Sequence, residues 1–249
     1  MILQFGTMKF VLLIWLAAII KCNEGGEWTY CYPDSCRGER HTLCEYGEWR
    51  RGPECNRVIT NFVTDEEKRE ILETHNMLRR KVAAGLETRG NPGPQPRGII
   101  PDLRWDRRLA IIAQAWANQC IFKHDPCRDV KRFRVGQNVG YTGNSSRSFD
   151  KLSVIITNYW YDEVANFTNN LVKNYKGEEE EAPVYSHYTA IVWGSTRKIG
   201  CGLTRHFTNR SMYRTHLVCN YGPRGNWIGE PMLNIKKIIY LNQNIRRFP

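Results

Sequence analysis

Apolar positions change their spacing several times along the chain. Behind Lys9, residues 10–20 form an apolar run without a charge, closed by Lys21. A bilayer-crossing helix needs ~20 apolar residues, so the run is too short for one. With its basic flank it fits a secretory leader over residues 1–22, cleaved between Cys22 and Gly26. Residues 27–59 are rich in Cys, Gly, Pro and Arg with no helical or strand period, which predicts a loop-rich extension held by cross-links. A 3.6-residue period then sets in. Thr64-Asp65-Glu66-Glu67 is a capping-box sequence, and Ile71, Leu72, His75, Leu78, Val82 and Leu86 follow at three- and four-residue spacing. Residues 88–101 hold four prolines and three glycines and are read as a loop. Asp106 can cap a second helix with Leu109, Ile112, Ala113, Trp116 and Cys120 on one face. Residues 121–148 lose the pattern and end in the turn-like Thr142-Gly143-Asn144-Ser145-Ser146. A third helix carries Leu152, Ile155, Tyr159, Trp160, Glu163 and Phe167. Glu178-Glu179-Glu180-Glu181 is read as a solvated loop. Strand-like segments come last, at 199–205 and 213–221, and a basic tail closes the chain at 234–249. Helices followed by paired strands predict an α+β domain over 60–233, a three-layer α-β-α sandwich around a central antiparallel sheet.

The cysteines narrow the setting. Of nine, Cys22 leaves with the leader, and Cys31, Cys36, Cys44, Cys55, Cys120, Cys127, Cys201 and Cys219 remain. An even number in an exported chain reads as four disulfides, of 105 pairings, and the spacings lack the short pairs of a structural zinc site. Sequons at Asn144, Asn166 and Asn209 agree with export and place those residues at the surface. The formal charge is +11. Lys and Arg are nevertheless scattered, and no nucleic-acid module is present, so the surface is read as solvated and nucleic acid is not an expected partner.

Four segments in order resemble the CAP superfamily of secreted proteins. They are His75-Asn76-Met77-Leu78-Arg79, Gly136-Gln137-Asn138-Val139, His187-Tyr188-Thr189-Ala190-Ile191-Val192-Trp193, and the stretch from Leu217 to Trp227 containing Cys219-Asn220-Tyr221-Gly222-Pro223. Trp116-Ala117-Asn118-Gln119-Cys120, the His124-Asp125 and Cys127-Arg128 pairs, and the four-cysteine extension are similar to the antigen 5 branch of arthropod venom and saliva. The resemblance implies the bridges Cys31–Cys44, Cys36–Cys127, Cys55–Cys120 and Cys201–Cys219. It also implies a cleft with two histidines, at His124 and His187, and two acids. One acid falls at Glu163. The other falls at Gln137, an amide that can neither take a proton near neutral pH nor offset metal charge. His124, His187 and Glu163 are therefore the expected set for weak zinc or copper binding, with no cofactor required.

The expectation is a monomeric, secreted binding protein rather than an enzyme. The resemblance implies as ligand classes a small hydrophobic molecule such as a lipid or sterol, between the first and third helices, or a host extracellular protein, beside the divalent metal. The alternative is a hydrolase using Ser186 or Thr189 beside His187, or a metal-bound water. Neither a Gly-x-Ser-x-Gly elbow nor a His-Glu-x-x-His helix is present to support it. His75, His206 and His216 are read as structural or solvated, and Trp105, Trp116, Trp160 and Trp193 as core.

Overall fold

The computed structural model describes residues 31–208 and 212–233. The expected leader, the Asn209 sequon and the tail at 234–249 lie outside them. The described elements are α1 (Thr42–Tyr46), β1 (Val58–Thr60), α2 (Asp65–Ala83), β2 (Arg104–Trp105), α3 (Arg107–Ala117), β3 (Gly136–Asn144), α4 (Leu152–Asp162), α5 (Ser186–Val192), β4 (Lys198–Phe207) and β5 (Tyr213–Gly222). The strands lie in the order β1-β4-β5-β3, all antiparallel, and the two-residue β2 joins β4 in parallel. Helix α3 covers one face, and α2, α4 and α5 form the layer on the other, which is the predicted α-β-α sandwich.

Local sequence explains the helix starts. Thr64 and Glu67 close the capping box on α2 reciprocally, Thr64 N–H to Glu67 Oε2 at 2.9 Å and Glu67 N–H to Thr64 Oγ1 at 3.2 Å. Asp106 accepts from the N–H groups of Arg108 and Leu109 and so caps α3. Close approach of α3 to the sheet depends on two glycines. A Cβ at Gly200 or Gly202 would stand 2.2 Å from the backbone of Ala110 or Gln114, so any larger residue pushes the helix off the strand.

Several expectations need correcting. The apolar period of α2 runs to Val82, but the helix stops at Ala83 and Leu86 is 66% exposed. In α4 the inner face is Ser153, Ile156, Thr157, Trp160 and Tyr161, while Ile155 and Tyr159 point outward. Aromatic and aliphatic residues on both sides of α4 make its inner stripe ambiguous in the sequence. Strand β3 occupies part of the stretch read as irregular. Its Gly-Gln-Asn-Val-Gly-Tyr-Thr-Gly-Asn sequence has little β-branched content, yet it is held between β5 and the covering helices, and pairing with β5 overrides its weak propensity. The short helices α5 and α1, the latter in the cysteine-rich extension, are also additions to the sequence reading.

The four disulfides are those the resemblance implies. One closes a loop within the extension and two fasten it to the domain, and backbone bonds reinforce the seam: Gly52 N–H to Asn118 O at 2.9 Å, and Gln119 Nε2 to Arg50 O at 3.0 Å. At the centre of the other layer lies Arg79, fully buried. Its guanidinium donates to the carbonyls of Pro101, Ile191, Trp193 and Thr196 and so ties α2 to the chain around α5. The facing apolar residues of α2 and α4 are joined in one buried cluster that includes Ile71, Leu78, Val82, Ile156, Trp160 and Tyr161.

Candidate functional site

Four residues singled out in the sequence occupy two linked pairs. His124 follows the turn after α3 and meets Gln137 at the start of β3, Nδ1 to Oε1 at 2.8 Å. His187 opens α5 and meets Glu163, just past α4, Nδ1 to Oε1 at 2.6 Å. The two imidazoles are near enough that His187 helps depress the basicity of His124.

The tautomers follow from what the partners can accept. Asp125 is a buried carboxylate already receiving Arg128 and Thr42, and it can only accept. Gln137 must therefore turn its NH2 toward it, donating to Asp125 Oδ1 and to Asn220 Oδ1 at 3.0 Å each. That leaves the Gln137 carbonyl oxygen facing His124, whose Nδ1 carries the proton and whose Nε2 keeps the lone pair. Glu163 likewise accepts from the Nδ1–H of His187 and so orients that ring. Its other oxygen accepts the backbone N–H groups of His187 and Tyr188 at 3.0 and 3.3 Å. The Trp160 ring stacks on His187, 6.0 Å between centroids and 11° from parallel.

Burial holds the His124 imidazole below its ordinary range. Arg128 and His187 push the same way, against the Gln137 hydrogen bond and the Asp125 charge. The neutral ring with a free Nε2 is the form that binds a metal. Behind this pair a second line of residues braces the cleft. Ile71 O can only accept, so His75 Nδ1 donates to it at 2.7 Å and Nε2 accepts from the Tyr221 hydroxyl at 2.9 Å. Asn138 then donates to Tyr221 Oη at 3.3 Å and to His187 O at 3.1 Å. His75 is structural, as read.

The expected His124, His187 and Glu163 ligand set is not assembled as such. Among the described residues no group of three His, Cys, Asp or Glu is placed to hold a metal ion. The reason is local: both oxygens of Glu163 are engaged in orienting His187 and starting α5. The donor set that remains is two imidazole nitrogens, which suit zinc or copper but leave the other coordination positions to water. Of the two expected nucleophiles, Thr189 is engaged elsewhere. Thr189 is buried and its hydroxyl donates to Ser186 O at 3.1 Å, and His187 Nδ1 faces Glu163 rather than either hydroxyl.

Asp125 and Asn220 had no assigned role in the sequence, although both stand inside the quoted segments. Neither has a local signal, because each acts on Gln137 from 12 and 83 residues away. Trp160 was read as core and is both core and ring partner. Glu178, placed in a solvated run, instead accepts the N–H groups of Tyr185 and Ser186, the latter at 2.6 Å. Asn166 is exposed and Asn144 is half-exposed. Among the other expected residues, His206 and His216 are both buried in the sheet.

Comparison with known proteins shows the family. The model of the cysteine-rich secretory protein (CAP) family matches residues 72–221. Venom allergen 3 of Solenopsis invicta is 42% identical over 231 residues, covering 91% of this chain and 98% of its own length. Venom allergen 5 of Vespula maculifrons is 41% identical over 229 residues, with 91% and 97% covered. Among solved structures, that of NaASP2 with Zn2+ aligns with a TM-score of 0.58 at 26% identity, covering 69% of this chain and 87% of that one. The structure of BmVAL-1 aligns with a TM-score of 0.59 at 29% identity, covering 69% and 83%.

Proposed function

The chain belongs to the cysteine-rich secretory protein (CAP) family, and from that premise we propose an exported, antigen 5-like venom or salivary protein that binds rather than catalyses. Its cleft would hold zinc or copper through the Nε2 atoms of His124 and His187. The observation that carries the reading is the pair of fixed imidazoles. Gln137 and Glu163 each accept a hydrogen bond from an Nδ1–H, so both Nε2 atoms are turned away from the supporting network. Bound metal would supply a Lewis-acidic centre. The chain's own contribution is to orient both rings and keep His124 neutral, with Trp160 limiting rotation of His187. The NaASP2 structure with Zn2+ agrees with a metal role for this fold. Export is supported by the leader-like run at 10–20, the four disulfides and the venom relatives. No helix among the described residues is long and apolar enough to cross a membrane.

Absence of turnover is favoured by the engaged state of Glu163 and Thr189, since a nucleophile needs a base within reach and His187 Nδ1 is turned to Glu163. Calorimetric titration with zinc and with copper should give binding to the parent protein and none to His124→Ala/His187→Ala. Equal binding by the double variant would remove the site. Ester and peptide substrates should remain intact; turnover abolished by His187→Ala would restore the hydrolase.

A further inference from the structure

The cavity at His124 shares a wall with a second one. Arg128, Val135 and Arg224 wall both the first, of about 220 Å³, and the second, of about 340 Å³. Four arginines line the second, Arg37, Arg128, Arg134 and Arg224, together with the acids Glu39 and Asp129. Arg128 is committed, ion-paired with the Asp125 carboxylate and donating to the Asp125 carbonyl at 2.7 Å.

Arg134 and Arg224 are not. Both guanidiniums lie against the indole of Trp227, 5.6 and 4.4 Å from its centroid. Of the five N–H donors on the Arg224 side chain, one makes a long bond to Gly225 O at 3.4 Å. No carboxylate among the described residues forms an ion pair with either arginine. Asp129, the acid nearest in sequence, turns Oδ1 to the Val135 N–H at 2.7 Å. Two like charges are thus held together, half-buried, with most of their donors unused. Burial keeps the Arg224 guanidinium below its ordinary range; Asp129 opposes this, and Arg134 and Arg128 add to it.

We infer that Arg134 and Arg224 form a docking site for a sulfate group of a sulfated glycan. A guanidinium presents its N–H groups as a planar fork that matches two oxygens of an oxyanion, and two forks on one indole can grip one such group from two sides. A half-buried oxyanion would relieve the repulsion between the arginines. Arg37, on the extension side of the same chamber, is positioned for the next negative group of a linear polyanion. The basic formal charge, +11 for the whole chain of which Lys9 and Lys21 lie in the expected leader, favours approach of such a chain. An anionic membrane fits less well. The exposed Ile228 beside Trp227 rests on Gly177, which leads straight into the four glutamates at 178–181. The inference relies on export but not on metal at His124 and His187.

The test uses the full secreted chain and measures binding to a heparin dodecasaccharide, to its desulfated counterpart that keeps the carboxylates, and to phosphatidylserine vesicles. The sulfated sugar should bind, and the other two should bind at least about tenfold more weakly. Arg134→Gln/Arg224→Gln should weaken sulfated-sugar binding by at least about tenfold. Arg51→Gln/Arg69→Gln, the same charge loss at two exposed positions, should change it less than about threefold. Arg224→Lys keeps the charge and removes the fork, and should cost several-fold with folding unaltered. Zinc titration of Arg134→Gln, a residue that lines only the second cavity, should match the parent, so failure here is distinguishable from failure of the metal site. Equal loss in the control variant, equal binding of the desulfated sugar, or preferential capture by the vesicles would overturn the assignment.

Discussion

The substitution Gln137→Glu would restore the acid that the CAP resemblance expects, and in this chain it should be strongly destabilising. The Gln137 side chain is 8% exposed and its NH2 sits 3.0 Å from Asp125 Oδ1 and 3.0 Å from Asn220 Oδ1. Glutamate would turn an oxygen toward a carboxylate that is itself 2% exposed. At an effective dielectric constant near 20, two charges at about 4 Å repel by about 4 kcal/mol. The folded protein can escape by keeping the introduced carboxyl protonated, which costs about 1.4 kcal/mol for each pH unit above its ordinary value near 4.3. At pH 7.5 both routes predict a loss of about 4 kcal/mol; at pH 5 protonation limits it to about 1 kcal/mol. The sign follows from linkage. The folded-state pKa of the introduced carboxyl is raised, so the variant regains stability as pH falls and loses it as pH rises. Urea unfolding of parent and variant at pH 5.0, 6.2 and 7.5 measures the difference directly. A variant as stable as the parent at pH 7.5, with the His124 ring titrating above its usual range, would refute the reasoning. The neighbouring imidazole would then have absorbed the charge.

Three other expectations bear on the same framework. Glu163→Gln puts an NH2 against two backbone N–H groups or against His187 Nδ1–H; zinc affinity should fall 10–100-fold and thermal unfolding should show a loss of about 1–3 kcal/mol. The Cys36–Cys127 bridge spans 91 residues, but Cys55–Cys120 already closes the chain between. Only the outer segments gain freedom, so Cys36→Ser/Cys127→Ser should cost about 3 kcal/mol by denaturant titration. Burial holds His75 down to about 4 and His216 down to about 3. Both folded values lie below the unfolded one near 6.5, so stability is complete above that pH. It should fall below it by up to about 1.4 kcal/mol per pH unit per group, until each folded ring takes its proton. Equilibrium unfolding from pH 7 to 4 checks this, and His216→Gln should flatten the curve.

The parts of the molecule that were legible in the sequence are those whose signal is local. The capping box of α2, the Asp106 cap of α3 and the paired strands near the C-terminus each depend on neighbours within a few residues or on a simple period. The eight cysteines fixed an even, cross-linked framework, and the ordered family motifs supplied its pairing. Strand β3 escaped because its glycines and amides have no intrinsic preference for a strand; β5 and the covering helices provide it. The outward turn of Ile155 and Tyr159 escaped because apolar residues lie on more than one side of α4.

The candidate site divides along the same line. Residue identity alone determined which groups could act: two imidazoles able to bind metal, one carboxylate, and an amide where charge was expected. Only the tertiary structure decided how they act. Asp125 and Asn220 set the direction of the Gln137 amide, that amide sets the proton on His124, and the start of α5 engages Glu163. Hydrogen-bond direction is a property of donors and acceptors brought together across the fold, and no pattern along the chain records it.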